Sequence, residues 1–140
     1  MSSLPCKGLN SASCCLESLM SHSLRIILAD DEPEIRDHFR RVLERLGHQV
    51  VAMLDNGEDL VSAATLLRPD LLISDVRMPR LDGDAAVREI WKTCSIPAIL
   101  ISAYSAPDPS SLGAGNCFYL SKPVRRNDLE AAILAAVPDV

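Results

Sequence analysis

The sequence predicts an α/β fold, a doubly wound parallel sheet of five strands with helices on both faces. Two features lead to this prediction. Five short apolar runs alternate along the chain with segments whose apolar residues recur at helical spacing. Polar or turn-forming residues follow these runs, as expected where strands end in loops. Right-handed crossovers that cover both faces of such a sheet favour the strand order 2-1-3-4-5.

The first half of the fold begins with the strand 24–29, which ends in the acidic segment 30–34. Pro33 suits the first turn of a helix, where its missing N–H costs nothing, and acidic residues there favour the helix dipole. This helix is expected to run to about Leu46, and Gly47 is a natural residue to end it. The other elements predicted in this half are a strand at 48–53 and a helix from about 58 to 67.

The central strand of the second half, Leu71–Asp75, is a mostly apolar run that ends in a carboxylate. Pro79 follows four positions later, so the chain must enter a loop directly after Asp75. Prolines and glycines between 103 and 116 leave room for at most a short helix in that segment. The other predicted elements are a helix through 86–91, strands at 98–102 and 117–120, and a helix at 126–137.

Composition and charge limit the classes of function. The 140 residues include 14 Lys and Arg and 19 Asp and Glu, a net charge of −5 that argues against direct nucleic-acid binding. No apolar run reaches membrane-spanning length. Five cysteines without a CxxC pair or a zinc pattern favour a cytoplasmic protein with reduced thiols. Residues 1–22, rich in Ser and Cys, are interpreted as a flexible extension before a domain at 23–140, with Met20 as an alternative start.

Four predicted strands deliver polar groups to one edge of the sheet, where ligands bind in open α/β folds. Strand one contributes Asp30 and Asp31, strand three Asp75, strand four Ser102 and strand five Lys122. Three neighbouring carboxylates repel one another unless a cation neutralises them, and Mg²⁺ prefers carboxylates while leaving room for phosphate oxygens. Since Lys and Ser side chains suit phosphoryl oxygens, one aspartate can accept a phosphoryl group and lose it to water.

These residues resemble the pattern of a known family, the receiver domain of two-component response regulators. The resemblance covers residues 24–137 and implies a flavodoxin-like fold and a stand-alone, CheY-like receiver that acts in a phosphorelay. Each matching piece is weak alone, but their order and their positions at the structural joints are specific. The pieces are Asp30-Asp31, Asp75 with Met78-Pro79 and Asp82-Gly83, Ser102-Ala103, and Tyr119-Leu120-Ser121-Lys122-Pro123.

The resemblance assigns the chemistry to Asp75 as the phosphoacceptor, which would receive its phosphoryl group from a histidine kinase or a histidine phosphotransfer protein. It implies that Asp31, Asp75 and the backbone carbonyl of Arg77 hold Mg²⁺, with Asp30 acting mainly through water. The protein would then catalyse only its own phosphoryl uptake and loss. It would relay a signal to a downstream protein target, as a monomer or as a phosphorylation-linked dimer.

The resemblance also assigns a switch. Ser102 and Lys122 would bind the phosphoryl group, and Tyr119 would turn inward as Ser102 moves toward it. The Lys122–Pro123 bond is expected to be cis, as is usual in the family.

The sequence departs from the family pattern in three places. Ser102 stands where Thr is commoner, a change that keeps the hydroxyl. The segment between Ser102 and Lys122 is slightly short and carries two prolines, so the helix usually found between the fourth and fifth strands is expected to be short or lost. No DNA-binding or enzymatic output domain is expected after Val140.

Other interpretations remain open at this point. The fold suits a phosphorylation-independent adaptor that binds through residues 103–116, or a Mg²⁺-dependent aspartyl phosphohydrolase, although the latter usually carries Asp-x-Asp after strand one. Asp30 or Asp31 alone would serve as a helix cap. Tyr119 fits plain core packing as well as a switch.

Overall fold

The structure is a computed structural model of the protein, and it describes residues 23–103 and 117–137. The strands are β1 (Arg25–Ala29), β2 (Gln49–Leu54), β3 (Leu71–Asp75), β4 (Ala98–Ser102) and β5 (Cys117–Ser121). The helices within those ranges are α1 (Pro33–Arg45), α2 (Gly57–Leu67), α3 (Gly83–Trp91) and α4 (Arg126–Ala136). All neighbouring strands pair in parallel, in the order β2-β1-β3-β4-β5. The predicted fold class and strand order are confirmed.

The sheet buries one core on each face. Along β1, Ile26 and Leu28 pack on the side of α1 and α4, whereas Ile27 and Ala29 pack on the side of α2 and α3. This alternation follows from the two-residue period of a strand. Every residue of β3 and β4 is buried, as expected of central parallel strands covered on both faces. The charged residues of the domain are therefore left to the strand ends, the loops and the outer faces of the helices.

The helix predicted through 86–91 begins three residues earlier, at Gly83, and the other boundaries differ from the predicted ones by one residue or less. Pro33 begins α1, as its fixed φ and missing N–H allow. Gly47 follows α1 with φ 94°, a left-handed conformation that glycine adopts without strain. The Lys122–Pro123 peptide bond is cis, as expected.

Three predictions fall outside the described residues: the N-terminal extension at 1–22, the alternative start at Met20, and the short or lost helix within 104–116. Among the residues that the structure does describe, no helix is both long and apolar enough to span a bilayer.

Candidate functional site

The carboxyl ends of four strands bring the predicted polar residues to one edge of the sheet. Asp30 follows β1, Asp75 ends β3, Ser102 ends β4 and Lys122 follows β5. In the strand register Asp75 pairs with Ile101, one residue before Ser102. The Lys122 N–H donates to the Ser102 carbonyl at 2.8 Å, which extends the β4–β5 pairing to this edge. The parallel topology thus places side chains from distant parts of the chain together.

The ammonium of Lys122 lies at the centre of this group. Its Nζ is 3.3 Å from Asp75 Oδ2, 3.8 Å from Asp30 Oδ2 and 3.8 Å from Glu32 Oε1. Burial lowers the pKa of Lys122, but the attraction of Asp30 and Asp75 outweighs it, so the pKa stays above its usual value. Lys122 therefore supplies a permanent positive charge beside the Asp75 carboxylate.

Both buried acids sit where their ionised forms are costly. Asp30 is 1% exposed, and burial raises its pKa to about 6, although the Glu32 N–H at 2.9 Å from Oδ1 and the charge of Lys122 oppose the shift. Burial likewise raises the pKa of Asp75, and Lys122 again opposes it. A further cation at this edge would stabilise both carboxylates, so the site favours binding one.

Three carboxylates at the end of β1 are close enough to share a cation. Single oxygens of Asp30, Asp31 and Glu32 all lie within 4.8 Å of one another. Asp31 and Glu32 are exposed, which leaves room for water on the outer side. An all-oxygen donor set with open positions fits a hard divalent ion such as Mg²⁺.

Lys122 Nζ links Asp75 to this group, because it also contacts Asp30 and Glu32. The main chain of Arg77 opposes, to a small extent, the rise in the pKa of the Asp75 carboxylate, so the start of the loop after β3 lies beside the site. Glu32 was not among the predicted site residues. The sequence signal was present, since Glu32 directly follows the acidic pair, but it also fitted a simple role at the helix dipole.

The main chain around Asp75 is tightly held. The Val76 N–H donates to the Ile101 carbonyl at 2.9 Å, and Ser74 Oγ donates to the Asp75 carbonyl at 2.9 Å. Gly83 packs directly on that carbonyl, so a Cβ at this position would overlap its oxygen and lie 2.6 Å from Ser74 Oγ. The Gly83 N–H also donates to the Val76 carbonyl at 2.7 Å. The start of α3 is thereby fixed against the residue that carries the central carboxylate.

Ser102 and Tyr119 occupy the positions expected for a switch, and their roles stay predictions. Ser102 is buried at the end of β4. The Tyr119 hydroxyl is buried and has no oxygen or nitrogen partner among the described residues, and the thiol of Cys117 is the polar group beside it. Burial raises the pKa of the phenol. The ring packs against the core on the side of α2 and α3. A thiol is a weak hydrogen-bond partner, so a rearrangement that gave the hydroxyl an oxygen partner would be favourable.

The helix-cap interpretation of Asp30 and Asp31 is wrong, because the N-cap of α1 is Glu32. Asp30 Oδ1 instead accepts the Glu32 N–H and stabilises the turn that precedes the helix.

A groove of about 510 Å³ opens next to Lys122. Its walls come from α1, from the end of β4 and from the segment between β5 and α4, and most of its surface is apolar. The lining residues are Ile35, His38, Phe39, Ala103, Lys122, Pro123 and Val124. A partner seated in this groove would contact the ammonium that pairs with Asp75.

Comparisons with known proteins agree with this architecture. Protein PilH of Pseudomonas aeruginosa is 34% identical over 118 residues, which is 81% of this chain and 97% of PilH. Transcriptional regulatory protein PdtaR of Mycobacterium tuberculosis is 37% identical over 115 residues, 81% of this chain but 56% of PdtaR. The chain spans about half the length of several curated relatives that it matches.

Among solved structures, the signal receiver domain of a modulated diguanylate cyclase from Desulfovibrio desulfuricans G20 superposes with a TM-score of 0.72. It is 30% identical and covers 84% of this chain and 95% of that domain. The model of the family described as the response regulator receiver domain matches residues 26–134, which comprise most of α4 and the sheet except for Arg25. The chain belongs to the response regulator receiver domain family.

Proposed function

We propose that this domain is a Mg²⁺-dependent phosphoacceptor of a two-component phosphorelay, with Asp75 as the residue that is phosphorylated. The observation that carries the proposal is the 3.3 Å separation between Lys122 Nζ and Asp75 Oδ2 at an edge that also holds Asp30 and Asp31. A lysine ammonium beside a buried carboxylate is suited to pair with the charge that a phosphoryl group brings.

The reaction begins with an Asp75 carboxylate oxygen attacking the phosphorus of the donor. The new P–O bond forms as the donor's P–N bond breaks, and the electron pair leaves with the imidazole nitrogen of a phosphohistidine. Lys122 pairs with the phosphoryl oxygens and Ser102 donates a hydrogen bond to them. Water later attacks the phosphorus, which releases inorganic phosphate and restores the carboxylate.

The acids at the end of β1 would hold the metal together with Asp75 and the Arg77 carbonyl. Asp31 would coordinate directly and Asp30 mainly through water, which matches the exposure of the first and the burial of the second. When bound, Mg²⁺ would offset negative charge on the phosphoryl oxygens.

The phosphodonor would be a histidine kinase or a histidine phosphotransfer protein. The apolar groove offers it a docking surface next to Lys122, the residue that pairs with Asp75. The protein would promote only its own phosphoryl uptake and loss, and a downstream protein target would recognise the phosphorylated surface. Phosphorylation would act by shifting a population between two states, for which about 5.5 kcal/mol of differential stabilisation moves the minor state to dominance.

The test is incubation with acetyl phosphate and Mg²⁺, followed by intact-mass measurement. We expect one phosphoryl adduct on the parent protein and none on Asp75→Asn, which lacks the nucleophilic oxygen. Asp70→Asn is the matched control, because Asp70 lies at the opposite end of the sheet and should leave labelling intact. A parent protein that takes up no phosphoryl group from any donor would overturn the proposal.

Two other results would favour a different function for this domain. Turnover of small phosphate esters far above stoichiometry would indicate an aspartyl phosphohydrolase. Full partner binding by Asp75→Ala would indicate an adaptor that does not use phosphorylation.

A further inference from the structure

Lys122 is shared among three carboxylates, and one of them differs from the other two. The side chains of Asp30 and Asp75 are 2% and 8% exposed, whereas that of Glu32 is 61% exposed. Glu32 is therefore the partner that contacts the ammonium from the solvent side.

Glu32 is also placed in an unusual way for a residue that begins a helix. It is the N-cap of α1, yet its side chain makes no capping hydrogen bond. N-cap positions favour short Ser, Thr, Asp or Asn side chains that bond back to the helix. The longer Glu32 side chain instead reaches Lys122 Nζ at 3.8 Å.

The main chain fixes this placement. The Glu32 N–H donates to Asp30 Oδ1 at 2.9 Å, and the Glu32 carbonyl accepts the Arg36 N–H at 2.9 Å. The carboxylate is thus held on the rim of the site by the same turn that presents the acidic pair.

We propose that Glu32 is a positioning residue that restrains the Lys122 ammonium on the solvent side and so slows the uptake of a phosphoryl group by Asp75. This inference rests on the proposed function. An incoming phosphoryl group must take over contacts of Lys122, and it must approach past the negative charge of Glu32. Removing that charge leaves Lys122 shared between Asp30 and Asp75 and lowers the repulsion of an anionic donor.

The test compares Glu32→Gln with Glu34→Gln in the full chain. Glu34 is an exposed acid in the first turn of the same helix, and the described residues include no ion pair between it and Lys122. Both variants lose one negative charge near the site, so the pair separates contact with Lys122 from a general charge effect.

Acetyl phosphate at saturating Mg²⁺ is the probe of rate. We expect Glu32→Gln to take up the phosphoryl group about two- to fivefold faster than the parent at low ionic strength, the range that an exposed ion pair contributes. The difference should shrink at about 1 M salt, where the Debye length is only about 3 Å. Glu34→Gln should stay close to the parent. Equal rates for the two variants, or a slower Glu32→Gln, would overturn the proposal.

A second measurement needs neither metal nor donor. The side-chain ¹H–¹⁵N signal of the Lys122 ammonium, assigned with Lys122→Arg, should shift in Glu32→Gln and stay in place in Glu34→Gln. An unchanged signal in Glu32→Gln would show that Glu32 does not hold Lys122, whatever the rates. A shifted signal in a protein that takes up no phosphoryl group would support the restraint and reject only the phosphoacceptor proposal.

Discussion

The two ends of the sheet handle charge in opposite ways. At the amino end, the Arg25 N–H donates to Asp70 Oδ2 at 2.9 Å, and the Arg25 guanidinium donates to the carbonyls of Leu67 and Arg68 at 3.0 and 3.2 Å. The Leu24 N–H donates to His48 Nδ1 at 3.2 Å. Each of these charged or polar groups has a partner of its own.

At the carboxyl end three carboxylates, those of Asp30, Glu32 and Asp75, share one ammonium, and Asp31 lies beside two of them. The two buried carboxylates have raised pKa values. Like charges in a buried site destabilise the domain unless a ligand joins them. The two ends therefore contribute to the stability of the domain with opposite signs. The polar groups at the amino end are paired within the domain, whereas the carboxyl end holds buried carboxylates whose charge a cation would balance.

The largest change in the free energy of unfolding is expected at Gly83, which packs against the Asp75 carbonyl at the carboxyl end of the sheet. Gly83→Ala would gain up to about 1 kcal/mol of helix propensity. The new Cβ would overlap the Asp75 carbonyl oxygen, and overpacking of this kind costs about 3 kcal/mol. The steric cost wins, so urea denaturation should show a less stable variant. A variant as stable as the parent would mean that the α3 start is not fixed against Asp75.

A smaller change in the free energy of unfolding, this time a gain in stability, is expected for Asp30→Asn. The pKa of Asp30 is about 6 in the folded state, above its usual 3.8, so the parent gains stability as the pH falls from 6 toward 4 and loses it as the pH rises through 6. Asp30→Asn removes this loss. Two pK units at about 1.36 kcal/mol each set the upper range, so we expect Asp30→Asn to be about 1–3 kcal/mol more stable than the parent at pH 7.5 in the absence of metal.

The control for Asp30→Asn lies at the other end of the sheet. Asp70→Ala removes the acceptor of the Arg25 N–H and should destabilise the domain by about 1 kcal/mol. The contrast between the two ends fails if both acids shift the unfolding free energy in the same direction.

The sequence was enough to predict the fold and most members of the site. Apolar runs that end in Asp30, Asp75 and Ser102 define strand ends, and parallel strands end at the same edge. Neither the burial of Asp30 nor the reach of Glu32 could be predicted in this way, because both depend on how α1 and the β5–α4 segment pack around Lys122. The contact of Gly83 with Asp75 could not be predicted from the sequence either, since a glycine at a helix start also fits an ordinary loop.

The smallest change in stability is expected at His48, which lies at the amino end of the sheet. Its Nδ1 accepts the Leu24 N–H, which requires an unprotonated nitrogen, and burial lowers the pKa of the imidazole below 6.5. A lowered pKa means that the unfolded chain binds the proton first, so this contribution to stability is full above pH 6.5 and is lost as the pH falls below it.

Asp30 changes the stability in the opposite direction over the same pH range, so the parent's own pH profile mixes the two contributions. His48→Asn keeps an acceptor that does not titrate, and the difference between its urea midpoint and that of the parent isolates the histidine. We expect that difference to change in favour of the variant between pH 7.5 and 5.5. A constant difference would show that His48 does not contribute to the stability of the amino end through this hydrogen bond.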